Sequence, residues 1–165
     1  MNRYTISMLS LFATFFMYSQ EKESILKYLQ LTETDSIYLK AVEKYIIELD
    51  SFYNTYSQNE QPKKIYIQYE DYLFKLPYKI SGYEIIKLGL ANRKKHFRKN
   101  KNRLRLVIMT PLTLKDGRFQ VRLTPYFAKL KSRKHLDLAL SDWTIVFFEF
   151  KNGKLKCAET QNGGI

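Results

Sequence analysis

The sequence predicts an α+β fold, with an N-terminal amphipathic helix packed on a curved antiparallel sheet of about four to six strands. Three observations indicate this fold. Apolar residues recur at three- and four-residue steps over residues 34–56, as they do in an amphipathic helix. After Pro62 the period changes to two, which is typical of strands. The dipeptides Asp116-Gly117 and Asn152-Gly153 then separate alternating runs, as hairpin turns do.

The predicted helix has one apolar side and one charged side. Thr34, Asp35 or Ser36 can cap its first turn, because short polar side chains accept hydrogen bonds from the free amides there. The apolar side consists of Ile37, Tyr38, Ala41, Val42, Tyr45, Ile46, Leu49, Phe52, Tyr53 and Tyr56. We expect this side to face the sheet.

The Asp116-Gly117 turn predicts the register of a first hairpin. A two-residue turn places Leu114 opposite Phe119, and the same register gives the pairs Leu112 with Val121 and Thr110 with Leu123. This register also predicts one shared face for Arg105, Arg118 and Arg122. Pro111 and Pro125 each remove a backbone donor, which indicates bulges or edge positions in this hairpin.

The Asn152-Gly153 turn predicts a second hairpin. Its register pairs Phe150 with Leu155, Phe148 with Cys157 and Glu149 with Lys156. The first strand is apolar on both faces, because Trp143, Ile145 and Phe147 alternate with Val146, Phe148 and Phe150. Such a strand is expected to be central and covered on both sides.

The order of the elements over residues 34–160, a long helix followed by antiparallel strands, resembles that of the cystatin-like and NTF2-like folds. This resemblance implies a helix lying in the concave side of a curved sheet. It implies no function, because such folds carry many unrelated activities.

The first twenty residues predict a signal peptide. Arg3 precedes an uncharged apolar run over residues 6–18, and charged residues follow. This run is shorter than the roughly 20 residues that a membrane-spanning helix needs. We therefore expect cleavage near Ser19 or Gln20, a single domain over residues 21–165, no stable membrane span after cleavage, and export to the periplasm or medium. The alternative is a buried N-terminal strand or helix in a cytosolic protein.

Basic residues are concentrated in the middle of the chain. Residues 61–134 contain four acids and twenty bases, and eight of these bases lie in NRKKHFRKNKNRLR, residues 92–105. Leu90, which lies just before this stretch, Phe97 and Leu104 are seven residues apart, and this spacing predicts a short helix touching the body along a narrow seam. A second basic run comprises Lys129, Lys131, Arg133 and Lys134. The residues predicted to bind an anion are Arg93, Lys94, Lys95, Arg98, Lys99, Lys101, Arg103, Arg105, Arg118 and Arg122.

No catalytic, cofactor-binding or metal-binding residues are predicted. The hairpin register places Cys157 inward, where a thiol packs as a small hydrophobe, and a single cysteine forms no internal disulfide. His96 and His135 both lie in basic runs, where neighbouring cations repel a metal ion. Six glycines form no phosphate-binding loop pattern.

Three hypotheses follow for function. The first is an exported, non-catalytic domain whose basic surface binds an anionic polysaccharide, lipopolysaccharide phosphates or an acidic protein. The alternative is a nucleic-acid-binding protein in which Phe97 and some tyrosines stack on bases. The second alternative is an enzyme that uses Tyr72, Asp142 or Trp143 in a cleft. The basic run is also consistent with a solvated surface, and the sequence leaves the oligomeric state open.

Overall fold

The computed structural model describes residues 31–56, 63–132 and 134–164. The predicted signal peptide therefore lies outside the described residues. Two α-helices, one 3₁₀ turn (Asp71–Leu73) and nine strands are described. In chain order they are α1 (Glu33–Tyr56), β1 (Lys64–Gln68), β2 (Lys79–Ile80), β3 (Tyr83–Leu88), α2 (Arg93–Lys99), β4 (Arg103–Met109), β5 (Thr113–Lys115), β6 (Arg118–Leu130), β7 (Leu136–Leu140), β8 (Asp142–Lys151) and β9 (Lys154–Gly164).

Helix α1 packs on one face of the sheet, as its periodicity predicts. Its buried residues are Ile37, Tyr38, Ala41, Val42, Tyr45, Ile46 and Leu49. They form one core with side chains of β1, β3, β4, β6 and β8. Each fully buried Leu or Ile stabilises the fold by about 1.5–3 kcal/mol, so this face supplies most of the hydrophobic stabilisation. The end of the helix is less covered, because Phe52 is exposed.

The sheet is mixed and larger than the sequence indicated. Its strands lie in the order β2-β3-β1-β4-β6-β8-β9, with β5 and β7 also paired to β6, which gives nine strands where four to six were expected. Strand β1 is parallel to both β3 and β4, so the sheet is not wholly antiparallel. The cystatin-like or NTF2-like order is not confirmed.

A crossover connection joins β3 to β4. The two strands flank β1 and run parallel to it, so the chain between them has to pass over one face of the sheet. Residues 89–102 make this passage and include α2. Phe97 is the buried residue of α2, and it packs with Leu88, Leu104, Leu106 and Ala128 on the face opposite α1. The predicted short helix is therefore confirmed, although Leu90 is exposed rather than part of its seam.

A bulge between β4 and β5 changes the predicted register of the first hairpin. The pair Leu114 with Phe119 is confirmed, but Leu123 lies opposite Met109 rather than Thr110. The Thr110 hydroxyl accepts a hydrogen bond from the Arg122 amide at 3.0 Å, and the Thr110 amide donates to the Arg122 carbonyl at 2.8 Å. The chain from β4 to β5 has one residue more than β6 at this point. Each β4 side chain before the bulge therefore points to the opposite face of the sheet from the one predicted.

The second hairpin has the predicted register next to its turn. Phe150 pairs with Leu155, Phe148 with Cys157, and Glu149 with Lys156. Asn152 and Gly153 both have positive φ angles, as do Asp116 and Gly117, and this is the backbone geometry of type I′ turns. Strand β8 lies between β6 and β9, so its predicted central position is confirmed. In the described ranges, no helix is long and apolar enough to span a membrane.

Replacing Phe97 tests the role of α2 in covering the second face. Phe97→Ala should lower the free energy of unfolding by about 3–4 kcal/mol, because a fully buried ring leaves a cavity when removed. Urea unfolding followed by circular dichroism measures this change. Leu90→Ala is the control, because Leu90 is 52 % exposed and its loss should cost less than about 0.5 kcal/mol. Equal losses in the two variants would contradict the burial of Phe97 between α2 and the sheet.

Candidate anion-binding surface

The crossover carries six exposed or half-exposed bases around one buried anchor. They are Arg93, Lys94, Lys95, Arg98, Lys99 and Lys101. Phe97 alone is fully buried in α2. Arg93 and His96 are half-buried, whereas Lys94, Lys95, Arg98 and Lys99 are exposed. The side chain of Asn92 holds the helix at its start. Its Oδ1 atom accepts a hydrogen bond from the Gly89 amide, and its Nδ2 atom donates to the Lys87 carbonyl, both at 2.9 Å.

The second basic run lies beside the first. Asn102, at the end of the crossover, bonds to both backbone groups of Leu130, at 2.8 and 3.3 Å. Leu130 and Leu136, which flank the turn between β6 and β7, pack against the Phe97 cluster. This turn carries Lys131 and Lys134; Arg133 lies outside the described residues. We define the basic surface as the six crossover bases together with Lys131 and Lys134.

The bases of this surface are largely free of acidic partners. In the described part of the chain, the ion pairs involve other bases, except that Lys131 lies 3.2 Å from Asp137. Lys87, by contrast, has a structural role. Its ammonium group donates to the carbonyls of Leu73, Phe74 and Leu76, which anchors the 3₁₀ turn. Burial lowers the pKa of Lys87.

Arg118 and Arg122 are not part of this surface. Both lie on the β6 face opposite α1, but Arg122 is six residues along the strand from Ala128, roughly 20 Å. The Arg118 guanidinium lies 3.8 Å from the centre of the Phe147 ring and is ion-paired with Glu159 at 2.5 Å. Arg122 lies 5.3 Å from the Trp143 ring. These two side chains therefore cover apolar residues of β8.

Arg105 lies on the other face of the sheet, so the predicted shared face with Arg118 and Arg122 is wrong. The bulge at Thr110 is the physical reason, because it reverses the facing of β4 relative to the first half of β6. The Arg105 guanidinium donates to the Asp142 carboxylate at 2.6 Å. Nearby Tyr45 and Asp142 contribute to raising the pKa of Arg105 against the opposing effect of burial.

Arg103 also lies apart from the α2 bases. It lies at the start of β4, on the α1 face and at a corner of the sheet, and Lys129 of β6 is its cross-strand neighbour. Of the ten predicted anion-binding residues, the structure thus brings six together on the crossover, and it adds Lys131 and Lys134 from a second segment. The other four are Arg103, Arg105, Arg118 and Arg122.

The residues considered for an enzyme site do not form one cluster. Asp142 and Trp143 line a hollow of about 370 Å³ with Tyr45 and Phe52. Tyr72 lies elsewhere, donating its hydroxyl to the Met109 carbonyl at 2.5 Å and packing beside Tyr38. Burial raises the pKa of both Tyr45 and Tyr72 to about 12, so both hydroxyls are protonated at neutral pH.

Cysteine and histidine have structural surroundings. Cys157 is half-buried and packs against the α1-side core, as the hairpin register predicts. The His96 ring contacts Tyr66 edge-on, with 5.8 Å between ring centres. Burial, together with Lys95 and Lys99, lowers the pKa of His96. Within the described ranges, no group of three or more His, Cys, Asp or Glu side chains could hold a metal ion.

The structure contradicts one part of the nucleic-acid hypothesis. Phe97 has no exposed surface, so it cannot stack on a base. Tyr83 is likewise buried, whereas Tyr78 is 80 % exposed. Tyr78 lies beside the ammonium group of Lys87, 5.5 Å from the ring centre, away from the bases of α2.

No family model, curated protein or solved structure matches this chain at a significant level. The geometry of the basic surface is therefore the observation from which we infer a function. The two basic runs were candidates for one continuous surface, but the sequence alone could not show that they meet, because their proximity depends on the hydrogen bonds between Asn102 and Leu130. The density of bases in residues 92–105 was the signal that located its larger part.

The lowered pKa of His96 predicts a loss of stability in acid. In the unfolded chain His96 binds a proton near the ordinary histidine pKa of about 6.5, whereas in the folded chain it does so only at lower pH. Stability should therefore fall as the pH drops from 7.5 to 5. His96→Gln should reduce this fall, measured as the difference between urea midpoints at the two pH values. No effect of His96→Gln on this difference would contradict the prediction.

Proposed function

We propose that this protein is an exported, non-catalytic domain that binds an anionic polymer through its basic surface. One observation supports the proposal above all. The crossover with its six bases and the turn that carries Lys131 and Lys134 flank the same buried cluster, and within the described residues only Lys131 among these bases is ion-paired. A surface used only for solubility has no need to hold two basic segments together against their mutual repulsion.

The chemistry of the surface indicates a partner dense in phosphate, sulfate or carboxylate groups. Lysine and arginine side chains displace the counterions of such a polymer, which gives strong, salt-dependent binding that is insensitive to sequence. An acidic polysaccharide, lipopolysaccharide phosphates or an acidic protein can supply this charge density. The long, exposed side chains of Lys94, Lys95, Arg98 and Lys99 can adapt to an irregular anion.

The rigidity of α2 supports binding as well. Phe97 is fully buried, and the side-chain amide of Asn92 forms one hydrogen bond through its oxygen and one through its nitrogen. The backbone of α2 is therefore fixed before a ligand binds. A fixed backbone removes the cost of ordering the main chain from the entropy lost on binding. Phe97 is buried and cannot stack on a base, so the basic surface recognises a ligand mainly through charge. Binding to single-stranded nucleic acid usually depends on stacking, and we therefore favour a polyanion other than nucleic acid.

Charge removal at α2 tests the proposal. The variant Lys94→Gln, Lys95→Gln, Arg98→Gln, Lys99→Gln removes half of the eight bases, so the slope of log affinity against log salt should fall to roughly half. Heparin chromatography and titration with a heparin oligosaccharide measure this. Glutamine retains helix propensity.

A matched control removes the same charge elsewhere. Lys44, Lys115, Lys154 and Lys156 lie on α1, β5 and β9, away from α2, and form no ion pair within the described residues. Their replacement by Gln should change the salt slope far less. Equal effects of the two quadruple variants would show that net charge, rather than the basic surface, determines binding. Tighter retention on single-stranded DNA than on heparin would favour the nucleic-acid alternative.

Export is tested by the mature N-terminus. The positive start, the apolar run over residues 6–18 and the polar residues after it support cleavage near Ser19 or Gln20. N-terminal sequencing of the protein recovered from the periplasm or medium should give a chain that begins at about residue 20 or 21. A chain that retains Met1 in the soluble cytosolic fraction would contradict export.

A further inference from the structure

A corner of the sheet on the α1 side is left uncovered and carries an exposed aromatic ring between cations. The start of β4 and the end of β6 form this corner, and they line an open hollow of about 480 Å³. Arg105 lies directly opposite Phe127, and Arg103 lies directly opposite Lys129. Paired side chains in antiparallel strands are about 5 Å apart at their Cβ atoms, and residues two apart on a strand about 7 Å. Three cations therefore surround Phe127.

The Phe127 ring differs from the other aromatic rings of the sheet that have arginine neighbours. Arg118 and Arg122 lie over Phe147 and Trp143, and Phe147 is buried. Phe127 is 64 % exposed. In the described part of the chain no cation lies over its ring, since the cation–π contacts involve Tyr78, Tyr83, Phe147 and Trp143. Its face is thus open to a ligand.

The three cations around the Phe127 ring differ in how free they are to bind an anion. Arg105 is held by Asp142, which fixes its guanidinium at the edge of the hollow. Arg103 and Lys129 form no ion pair among the described residues, and the acid opposite Lys129 on β7, Asp137, is paired with Lys131. The hollow therefore offers two unpaired cations and one positioned cation beside an open ring.

We propose that this corner binds a flat aromatic group that carries an anionic substituent, such as a sulfonate, carboxylate or phosphate. The aromatic group stacks on Phe127, and its anion is held by Arg103 and Lys129. Charge complementarity favours this ligand over a second copy of the chain, because a copy would bring the same three cations to the contact. The site is separate from the α2 bases, which lie on the opposite face of the sheet.

The probe for the test is 8-anilinonaphthalene-1-sulfonate, and N-phenyl-1-naphthylamine is its neutral analogue. Fluorescence titration of the full chain should give tighter binding of the sulfonate than of the analogue. Phe127→Ala should weaken sulfonate binding by about tenfold, the usual scale for loss of one stacking ring. Arg103→Gln with Lys129→Gln should weaken it by a similar factor and leave binding of the neutral analogue within about twofold, because only the sulfonate is charged.

Phe150→Ala is the matched control. Phe150 is 63 % exposed, almost the same as Phe127, but its neighbours in sequence are Glu149 and Lys151, which are ion-paired with each other. This variant should bind the sulfonate as the wild type does, within about twofold. Circular dichroism should show all variants folded, since the replaced side chains are exposed. The α2 quadruple variant should also bind the dye normally, which separates this site from the proposed polyanion surface.

Three outcomes would overturn the proposal. The first is equal weakening by Phe127→Ala and Phe150→Ala, which would indicate general adhesion of the dye to exposed rings. The second is equal loss of the sulfonate and its analogue in the Arg103, Lys129 variant. The third is sedimentation of the wild type as a dimer that Phe127→Ala converts to a monomer, which would show that a second copy covers the ring.

Discussion

The parallel placement of β3 and β4 on either side of β1 is the constraint on which the rest of this structure depends. Parallel neighbours cannot be joined by a tight turn, so residues 89–102 have to cross a face of the sheet. That crossing brings Phe97 over Leu104, Leu106 and Ala128, which gives the second face its own small core. The same crossing holds the bases of α2 away from the sheet. A single topological requirement therefore determines both how the second face is covered and where the positive charge is displayed.

The bulge at Thr110 has effects well beyond its own position. One extra residue between β4 and β5 sends Arg105 toward α1, while Arg118 and Arg122 lie on the opposite face. Arg105 then meets Asp142 and becomes part of an ordered network that also includes Ser141, whose hydroxyl donates to the same carboxylate at 2.5 Å. Arginines that look equivalent along the sequence therefore have three different environments.

Local patterns in the sequence predicted local structure well. The repeat of apolar residues gave α1 nearly to its ends, and the Asp-Gly and Asn-Gly turns gave two hairpins, because both signals depend on neighbouring residues. Parallel pairing of β1 with β3 and β4 depends on residues about twenty to forty positions apart, and no turn residue reports it. Strand β7 was missed because LDLAL is short and exposed. For the candidate site, base density located α2, but only the tertiary fold could show that the turn after β6 lies beside it.

The stacking of Arg118 on Phe147 and the position of Arg122 near Trp143 bear on what the basicity of this chain means. A sheet face with no helix over it would ordinarily adhere to other apolar surfaces. Guanidinium groups that lie over the rings cover that face while their charged ends stay hydrated. The formal net charge of +12 is therefore a sum over bases with different roles, and part of it covers apolar rings of the sheet. Two homologous chains of equal net charge could therefore differ widely in their affinity for an anionic ligand, because they could differ in how many arginines lie over rings of the sheet.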